Sequence, residues 1–179
     1  MTNDSTAQSK KSIVLIGLMG AGKSSIGRRV AKKLVLPFWD SDGVIESKYN
    51  CSVSNFFSLH GEPKFRTVEE TIIRQLLNGP KNVLATGGGA FMNEGVRNSI
   101  KRKGVSIWLK ASLNVLLLRT RKRKGRPLLD VDKPEEVLQS LIDKRYPTYA
   151  LADIIVETYD QPHHEIVNQI IDAYHKLIG

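Results

Sequence analysis

The stretch Ile13-Val-Leu-Ile16, followed directly by Gly17-Leu-Met-Gly20-Ala-Gly22-Lys23-Ser24, decides the fold of this chain. The apolar run predicts a buried strand, and the residues after it match G-x-x-x-x-G-K-[ST], a loop whose backbone amides surround phosphate oxygens. In such a loop the lysine reaches the terminal phosphates and the serine hydroxyl ligates magnesium. A helical pattern begins near Ser25, and a helix N-terminus adds positive potential there. The loop therefore indicates ATP or GTP binding.

Beyond this loop, short β-rich runs alternate with longer stretches of helical period. The predicted strands are Ile13–Ile16, Phe38–Trp39, Val83–Ala85, Val105–Leu109 and Ile154–Val156. The predicted helices are Ser25–Leu36, Glu62–Leu77, Glu94–Lys103, Ser112 to about Lys124, Pro134–Tyr149 and His163–Ile178. Such alternation predicts an α/β fold in which a five-stranded parallel sheet carries helices on both faces.

Length and composition limit the class of protein. The 179 residues predict one domain, and the 41% hydrophobic and 25% charged residues are typical of a globular protein. The single Cys51 cannot form an internal disulfide, and residues 1–11 form a polar tail where a signal peptide would need an apolar segment. No apolar run reaches the roughly 20 residues that a membrane span needs. We therefore expect a cytoplasmic protein without a membrane partner.

The net charge of +9 favours a polyanionic partner, which includes nucleotides, nucleic acids and acidic metabolites. The nucleic-acid alternative draws on this charge and on the basic run from Arg119 to Arg126. Against it, only 7% of the residues are aromatic and no stacking motif of the RNA-binding kind is present. We expect no nucleic-acid partner.

Two acidic residues follow the second predicted strand. Asp40 and Asp42 would lie at the carboxyl end of a parallel strand, where open α/β sheets bind their ligands. One carboxylate could support magnesium through water while the other holds an acceptor hydroxyl. The alternative is an Asx turn or an N-cap for a helix that starts near Val44, a role that Asp42 could also fill.

Two further clusters are informative. Arg66 lies near the start of a predicted helix, and a salt bridge with Glu69 or Glu70 would explain it without a ligand. Gly87-Gly88-Gly89 directly follows the third predicted strand, and consecutive glycines there favour a close backbone approach to a ligand. Residues 43–61 predict a small helical insertion, and residues 122–133 predict a mobile surface flap.

Together these segments resemble the shikimate kinase family over about residues 12–178. The motifs that carry the resemblance are, in chain order, GLMGAGKS, WDSD, GEPKFRTVEE, TGGGA, GRPLL and DKRYPTY. The resemblance implies a P-loop fold like that of the nucleoside monophosphate kinases. It implies one kinase domain over residues 12–179, with a substrate-binding insertion at 43–70 and a lid at 122–133.

The resemblance also implies the reaction, which is transfer of the γ-phosphate of ATP to the 3-hydroxyl of shikimate with Mg²⁺. Because most members of the family are monomers, it implies a monomer here. The implied catalytic residues are Lys23, Asp42 and the lid arginine Arg126. The implied shikimate contacts are Asp42, Phe57, Arg66, Gly87, Gly88, Gly89 and Arg145. The implied nucleotide contacts are Gly20, Ala21, Gly22, Lys23, Ser24, Ser25, Arg119, Arg126, Gln161 and Pro162, with Ser24 and, through water, Asp40 as magnesium ligands.

Some positions depart from the family pattern. Ser25 stands where the family often has threonine, which keeps the hydroxyl. The segment Thr158-Tyr-Asp-Gln161-Pro162 lacks an arginine that some members carry near adenine. Within the same scaffold the alternative is a kinase for gluconate or a nucleoside monophosphate, which the TGGGA motif and the paired arginines disfavour.

Overall fold

The computed structural model describes residues 11–121 and 133–179. Its strands are β1 (Ser12–Ile16), β2 (Phe38–Asp40), β3 (Val83–Ala85), β4 (Gly104–Ala111) and β5 (Ile154–Thr158). Its helices are α1 (Lys23–Leu34), α2 (Ser41–Tyr49), α3 (Val53–Asn78), α4 (Glu94–Lys103), α5 (Leu113–Arg121), α6 (Pro134–Tyr149) and α7 (His163–Ile178), and a 3₁₀ turn spans Ala90–Met92. The predicted α/β architecture is confirmed.

All strands pair in parallel in the order β2-β3-β1-β4-β5. The central strand β1 is buried at every residue, as its continuous apolar run predicts. Parallel strands have their carboxyl ends at one edge of the sheet, so the segments that follow β1, β2 and β3 are neighbours there. The phosphate loop, the acidic pair and the glycine cluster therefore meet at one edge.

The helices cover the sheet with apolar stripes at helical spacing. In α7, residues Ile166, Ile170 and Tyr174 lie four apart and are almost fully buried. Burial of one such side chain contributes about 1.5–3 kcal/mol, so these stripes hold the outer helices to the sheet. None of the helices within residues 11–121 and 133–179 has the length and apolarity needed to cross a bilayer.

The insertion after β2 has a small core of its own. Its buried members are Ile45, Phe56, Phe65, Val68 and Ile72, from α2 and both parts of α3. Residues 43–61, predicted as a helical insertion, form most of α2 and the first part of α3, and α3 continues across a break at Gly61, where φ is 78°, into the helix predicted from Glu62. Pro63 lies in the first turn after the break, which is a position that proline tolerates. This packing fixes the part of α3 that carries Arg66.

Other boundaries differ by a few residues. Helix α1 starts at Lys23 rather than Ser25 and ends at Leu34, because Val35 takes the left-handed conformation with φ of 54°. Strand β4 is three residues longer than predicted, because it includes Gly104, Lys110 and Ala111. The predicted lid lies outside the described residues, apart from Lys133, and most of the N-terminal tail does too.

Candidate active site

The phosphate loop joins β1 to α1 in a conformation that depends on glycine. Gly17 and Gly20 have φ of 143° and 84°, which L-residues with a Cβ rarely adopt. A Cβ on Gly17 would lie 2.9 Å from the carbonyl oxygen of Leu109. Helix α1 begins at Lys23 without a side-chain cap, so the N–H groups of its first turn face the loop without a capping side chain. This backbone has the geometry that an anion cradle requires.

Lys23 and Ser24 lie at the start of α1 and contact the edge of the sheet. The Lys23 Nζ donates to the carbonyl oxygens of Gly17 at 2.7 Å and Leu18 at 3.0 Å. The Ser24 hydroxyl donates to Asp40 Oδ2 at 2.5 Å. A hydroxyl beside one carboxylate suits Mg²⁺, which keeps several waters and takes other ligands from substrate phosphates. Ser24 and Asp40 therefore fit the magnesium role that the sequence predicted for them.

The carboxylates of Asp40 and Asp42 differ in their hydrogen bonds at the start of α2. Asp40 is the N-cap of this helix, because its Oδ1 accepts from the backbone N–H of Asp42 at 3.2 Å. The suggestion that Asp42 caps a helix starting near Val44 is wrong, since the helix begins at Ser41. Asp42 Oδ1 is buried and has no hydrogen-bond partner among the described residues. The carboxylate of Asp42 is therefore left for a ligand.

The surroundings of Asp42 make its carboxyl a weaker acid than that of an exposed aspartate. Burial, and next the negative charge of Asp40, raises the pKa of the Asp42 carboxyl to about 6, against the opposing charges of Lys23 and Arg66. A carboxyl with a pKa near neutrality can accept a proton and release it again at physiological pH. The charge of the Asp42 carboxyl can therefore change near neutral pH.

The three glycines after β3 lie against charged side chains from three elements. A Cβ on Gly87 would lie 2.7 Å from Asp42 Oδ1, and one on Gly88 would lie 3.2 Å from Arg145 Nη1. A Cβ on Gly89 would collide with the guanidinium of Arg66. Asp42, Arg66 and Arg145 therefore converge on this loop, and any larger residue there would displace them.

Arg66 is held in place by two acidic residues of its own helix. Its Nη1 lies 2.7 Å from Glu69 Oε2, and its Nη2 lies 3.1 Å from Glu62 Oε1. Burial lowers the pKa of the Arg66 guanidinium, but the charges and hydrogen bonds of Glu69 and Glu62 together outweigh it, so the pKa is raised. The predicted pair with Glu69 is confirmed, whereas Glu70 pairs instead with Arg74 at 3.0 Å. The salt bridge and a ligand role are compatible, because Glu62 and Glu69 orient the guanidinium of Arg66 while it lies against Gly89.

Phe57 lies beside this cluster. Its ring centroid is 4.3 Å from that of Phe65, and the Arg66 Cζ is 5.9 Å from the Phe57 ring centroid. Phe57 is only partly buried, in contrast to its neighbour Phe56, which is almost fully buried in the insertion core. Its position is compatible with the apolar wall that the sequence predicted.

The residues predicted to flank adenine lie on the other side of the phosphate loop. The Arg119 guanidinium donates to the carbonyl oxygens of Tyr159 at 2.6 Å and Ala21 at 3.3 Å. Burial lowers the pKa of Arg119, with Asp160 opposing. Gln161 Nε2 is buried and has no partner among the described residues, and Pro162 directly precedes α7. Arg119 thus connects the phosphate loop to the segment that carries Gln161, whose side-chain Nε2 has no partner among the described residues.

Two polar groups at the site, on Ser41 and Tyr149, had no role in the sequence-based prediction, and Glu69 was considered only as a salt-bridge partner of Arg66. Glu69 is 1% exposed, and a Cβ on Gly87 would lie 2.6 Å from its Oε1. Burial raises the pKa of Glu69 despite the pairing with Arg66. The buried Ser41 hydroxyl accepts from the Gly87 N–H at 3.1 Å, and Tyr149 donates to the Gly88 carbonyl. All three lie inside quoted motifs, so the signal was position within a motif. Arg126 lies outside the described residues.

Comparisons with known proteins agree on one family. A family model described as shikimate kinase matches residues 19–175 of the chain. A shikimate kinase of Rhodopseudomonas palustris is 47% identical over 166 residues, which cover 93% of this chain and 82% of that protein. One of Caulobacter vibrioides is 48% identical over 163 residues, which cover 91% of this chain and 82% of that protein.

Solved structures give the same result. The shikimate kinase of Acinetobacter baumannii in complex with shikimate superimposes with a TM-score of 0.89 at 35% identity. The match covers 97% of this chain and 98% of that one. The similarity therefore extends over the sheet, the insertion and the segments that form the site.

Proposed function

The chain belongs to the shikimate kinase family, and on this premise we propose that it transfers the γ-phosphate of ATP to the 3-hydroxyl of shikimate, giving shikimate 3-phosphate. The observation that carries the proposal is the convergence of Asp42, Arg66 and Arg145 on the glycine loop. Two guanidinium groups and one carboxylate suit an acceptor that carries both a carboxylate and hydroxyls.

The acceptor is fixed at its charged end by arginine. Arg66 and Arg145 present planar forks, which bind carboxylates in two parallel hydrogen bonds. Loss of one partner of a buried charge pair typically costs about 2–5 kcal/mol, enough to orient a small ring. Asp42 then accepts hydrogen bonds from ring hydroxyls, and Phe57 packs against the ring.

The nucleotide is held mainly by backbone. The N–H groups of Gly20, Ala21, Gly22 and the first turn of α1, with the side chains of Lys23 and Ser25, surround the phosphates, and Arg119, Gln161 and Pro162 flank adenine. Lys23 exchanges its contacts with the Gly17 and Leu18 carbonyls for phosphate oxygens. Ser24 and, through water, Asp40 would hold Mg²⁺, which when bound neutralises phosphate charge.

Transfer forms a bond between the acceptor oxygen and the γ-phosphorus and breaks the bond from that phosphorus to the bridging oxygen of ADP. Because the transition state is loose, positioning and charge neutralisation dominate. Asp42 orients the hydroxyl and takes its proton, which the raised pKa of about 6 permits. Lys23 neutralises the charge that accumulates on the phosphoryl oxygens, and the resemblance implies the same role for Arg126.

We also propose a monomeric, cytoplasmic enzyme. One chain supplies every charged group that the acceptor needs, and the reaction consumes ATP, which the cytoplasm provides. The net charge of +9 serves anionic small molecules here rather than nucleic acid. Sedimentation at micromolar protein with and without ligands measures the oligomeric state, and a dimeric mass would contradict this part of the proposal.

An acceptor panel tests the activity. With Mg²⁺ and ATP, we expect ADP release that depends on shikimate and exceeds release with gluconate or nucleoside monophosphates by orders of magnitude. Random oligonucleotides serve as the control for the nucleic-acid alternative. ADP release that follows gluconate, a nucleoside monophosphate or an oligonucleotide instead would contradict the proposed function.

A further inference from the structure

The last residue of α6, Tyr149, joins two parts of the acceptor site. Its side chain is fully buried, and its ring lies 5.8 Å from that of Trp108 and 6.5 Å from that of Phe91, measured between centroids. Its hydroxyl donates a hydrogen bond to the carbonyl oxygen of Gly88. The ring is therefore fixed by packing, and the hydroxyl ends at the middle of the glycine loop.

The Gly88 carbonyl differs from its two neighbours in how it is held. The Gly87 carbonyl accepts from the Ala90 N–H and the Gly89 carbonyl from the Met92 N–H, both at 3.1 Å, within the 3₁₀ turn. The middle carbonyl accepts from Tyr149, which is 61 residues away in sequence. The orientation of this peptide unit therefore depends on a side chain rather than on local backbone.

Arg145 lies one helical turn before Tyr149, and its guanidinium lies beside the same glycine. A Cβ on Gly88 would lie 3.2 Å from Arg145 Nη1, so the guanidinium is beside the peptide that Tyr149 holds. Burial raises the pKa of Tyr149, and the charge of Arg145 and a hydrogen bond from its side chain oppose that rise. A phenolic oxygen can accept from a guanidinium while it donates to a carbonyl, so one hydroxyl serves both.

We propose that Tyr149 is a positioning residue for the acceptor, and that its hydroxyl fixes the Arg145 guanidinium and the Gly88 peptide in one relative arrangement. The inference rests on the proposed function, in which Arg145 binds the acceptor carboxylate. Without the hydroxyl, the Arg145 guanidinium loses its interaction with Tyr149, and the Gly88 carbonyl loses its hydrogen-bond donor. Acceptor affinity falls, whereas the phosphate loop is unchanged.

Tyr146 provides a matched control. It lies on the same helix, and its hydroxyl also donates to a backbone carbonyl, that of Ala111. Its ring centroid is 4.8 Å from that of Trp108, and burial raises the pKa of its hydroxyl to about 12. Tyr146→Phe therefore removes a comparable hydrogen bond from the same aromatic cluster without touching the glycine loop.

The experiment compares Tyr149→Phe and Tyr146→Phe with wild type in steady-state kinetics. We expect the KM for shikimate to rise about tenfold in Tyr149→Phe, as loss of one buried hydrogen bond allows, with the KM for ATP within twofold of wild type. Tyr146→Phe should leave both KM values within twofold. When Arg145 is already replaced in Arg145→Lys, adding Tyr149→Phe should change the logarithm of the KM for shikimate by less than half as much as it does in wild type, because the guanidinium that Tyr149 positions is gone.

Other outcomes overturn the inference. An unchanged KM for shikimate in folded Tyr149→Phe, or an equal rise in both KM values, would show that the hydroxyl only supports packing. If Tyr149→Phe does not fold, wild-type enzyme labelled at tyrosine Cζ replaces it, and the Tyr149 resonance should shift with shikimate by more than that of Tyr146. A Tyr149 resonance whose chemical shift does not change on addition of shikimate overturns the inference. Wild-type enzyme without shikimate-dependent ADP release would instead contradict the proposed function.

Discussion

The two halves of the active site are built in different ways. The phosphate-binding part of the nucleotide half is one continuous loop, in which glycines with positive φ give the backbone between Gly17 and Ser24 the shape of an anion cradle. The acceptor half brings together side chains from α2, α3 and α6 around the glycine loop that follows β3. The phosphate loop is a local property of eight consecutive residues, whereas the acceptor half exists only when the sheet and its insertion have folded.

This difference predicts how substitutions act. A backbone cradle is insensitive to most side-chain changes but needs its helix and its glycines. A side-chain cluster loses a defined part of its function with each residue, and the loss is confined to the ligand that the residue touches. Acceptor and nucleotide parameters should therefore respond separately, and a variant that moves both alike would contradict the division.

The largest effect is expected where the two halves meet at the moving phosphoryl group. If Arg126 acts as a charge-neutralising arginine, Arg126→Ala should lower kcat by roughly 10³- to 10⁵-fold, because that charge is developed mainly in the transition state. Binding of shikimate, measured by calorimetry without nucleotide, should stay unchanged. Turnover near that of wild type would reject the role of Arg126.

Asp42→Asn should separate the halves on the acceptor side. The amide keeps the shape and the burial but cannot take the hydroxyl proton, so we expect kcat to fall by about 10²- to 10⁴-fold. Binding of ATP to the variant, measured by calorimetry, should match wild type, because the Ser24–Asp40 contact remains. Equal loss of ATP binding and turnover would indicate that Asp42 serves folding instead.

How far the sequence predicts this molecule follows from the same division. Periodicity and the phosphate-loop motif predicted the strands, most helix bounds and the phosphate loop, because each depends on neighbours in the chain. The insertion at 43–61 was predicted to be helical, but its helix bounds were not, because Gly61 interrupts the helical period and Val53 to His60 pack on a separate small core.

The acceptor half needed more than local pattern. Arg66 alone was compatible with a salt bridge, and that bridge is indeed present. Its ligand role was predicted only by resemblance, because the placement of the guanidinium against Gly89 depends on the packing of α3 against the sheet. The capping role considered for Asp42 belongs to Asp40, because the sequence does not show that α2 starts immediately after β2. Tyr149 was unassigned because its partner Gly88 is distant in the chain.

A single methyl group should damage the acceptor half without touching the nucleotide half. A Cβ on Gly89 would occupy the place of the Arg66 guanidinium, so Gly89→Ala must displace that fork. We expect the KM for shikimate to rise about 30-fold, the lower end for loss of one buried charged contact, with the KM for ATP unchanged. Gly79→Ala is the control, because the added Cβ would lie 3.5 Å from its nearest neighbour, the Leu76 carbonyl oxygen. Equal KM values in the two variants would contradict the proposed place of Arg66.

The smallest expected effect is a dependence on pH that belongs to the acceptor half alone. Burial, and next Asp40, raises the pKa of Asp42 to about 6, so the ionised form that accepts a proton dominates above pH 6 and is lost below it. Between pH 7 and pH 5 the ionised fraction falls about tenfold, and kcat/KM for shikimate, which reports the free enzyme, should fall with it. ATP affinity measured by calorimetry over the same range provides the comparison, with the ionisation of ATP itself taken into account. A flat kcat/KM profile for shikimate would exclude Asp42 as the proton acceptor. A parallel fall in ATP affinity would mean that the titrating group acts on the phosphate loop. The two halves would then be coupled through Asp40 and Ser24, whose side chains are in contact.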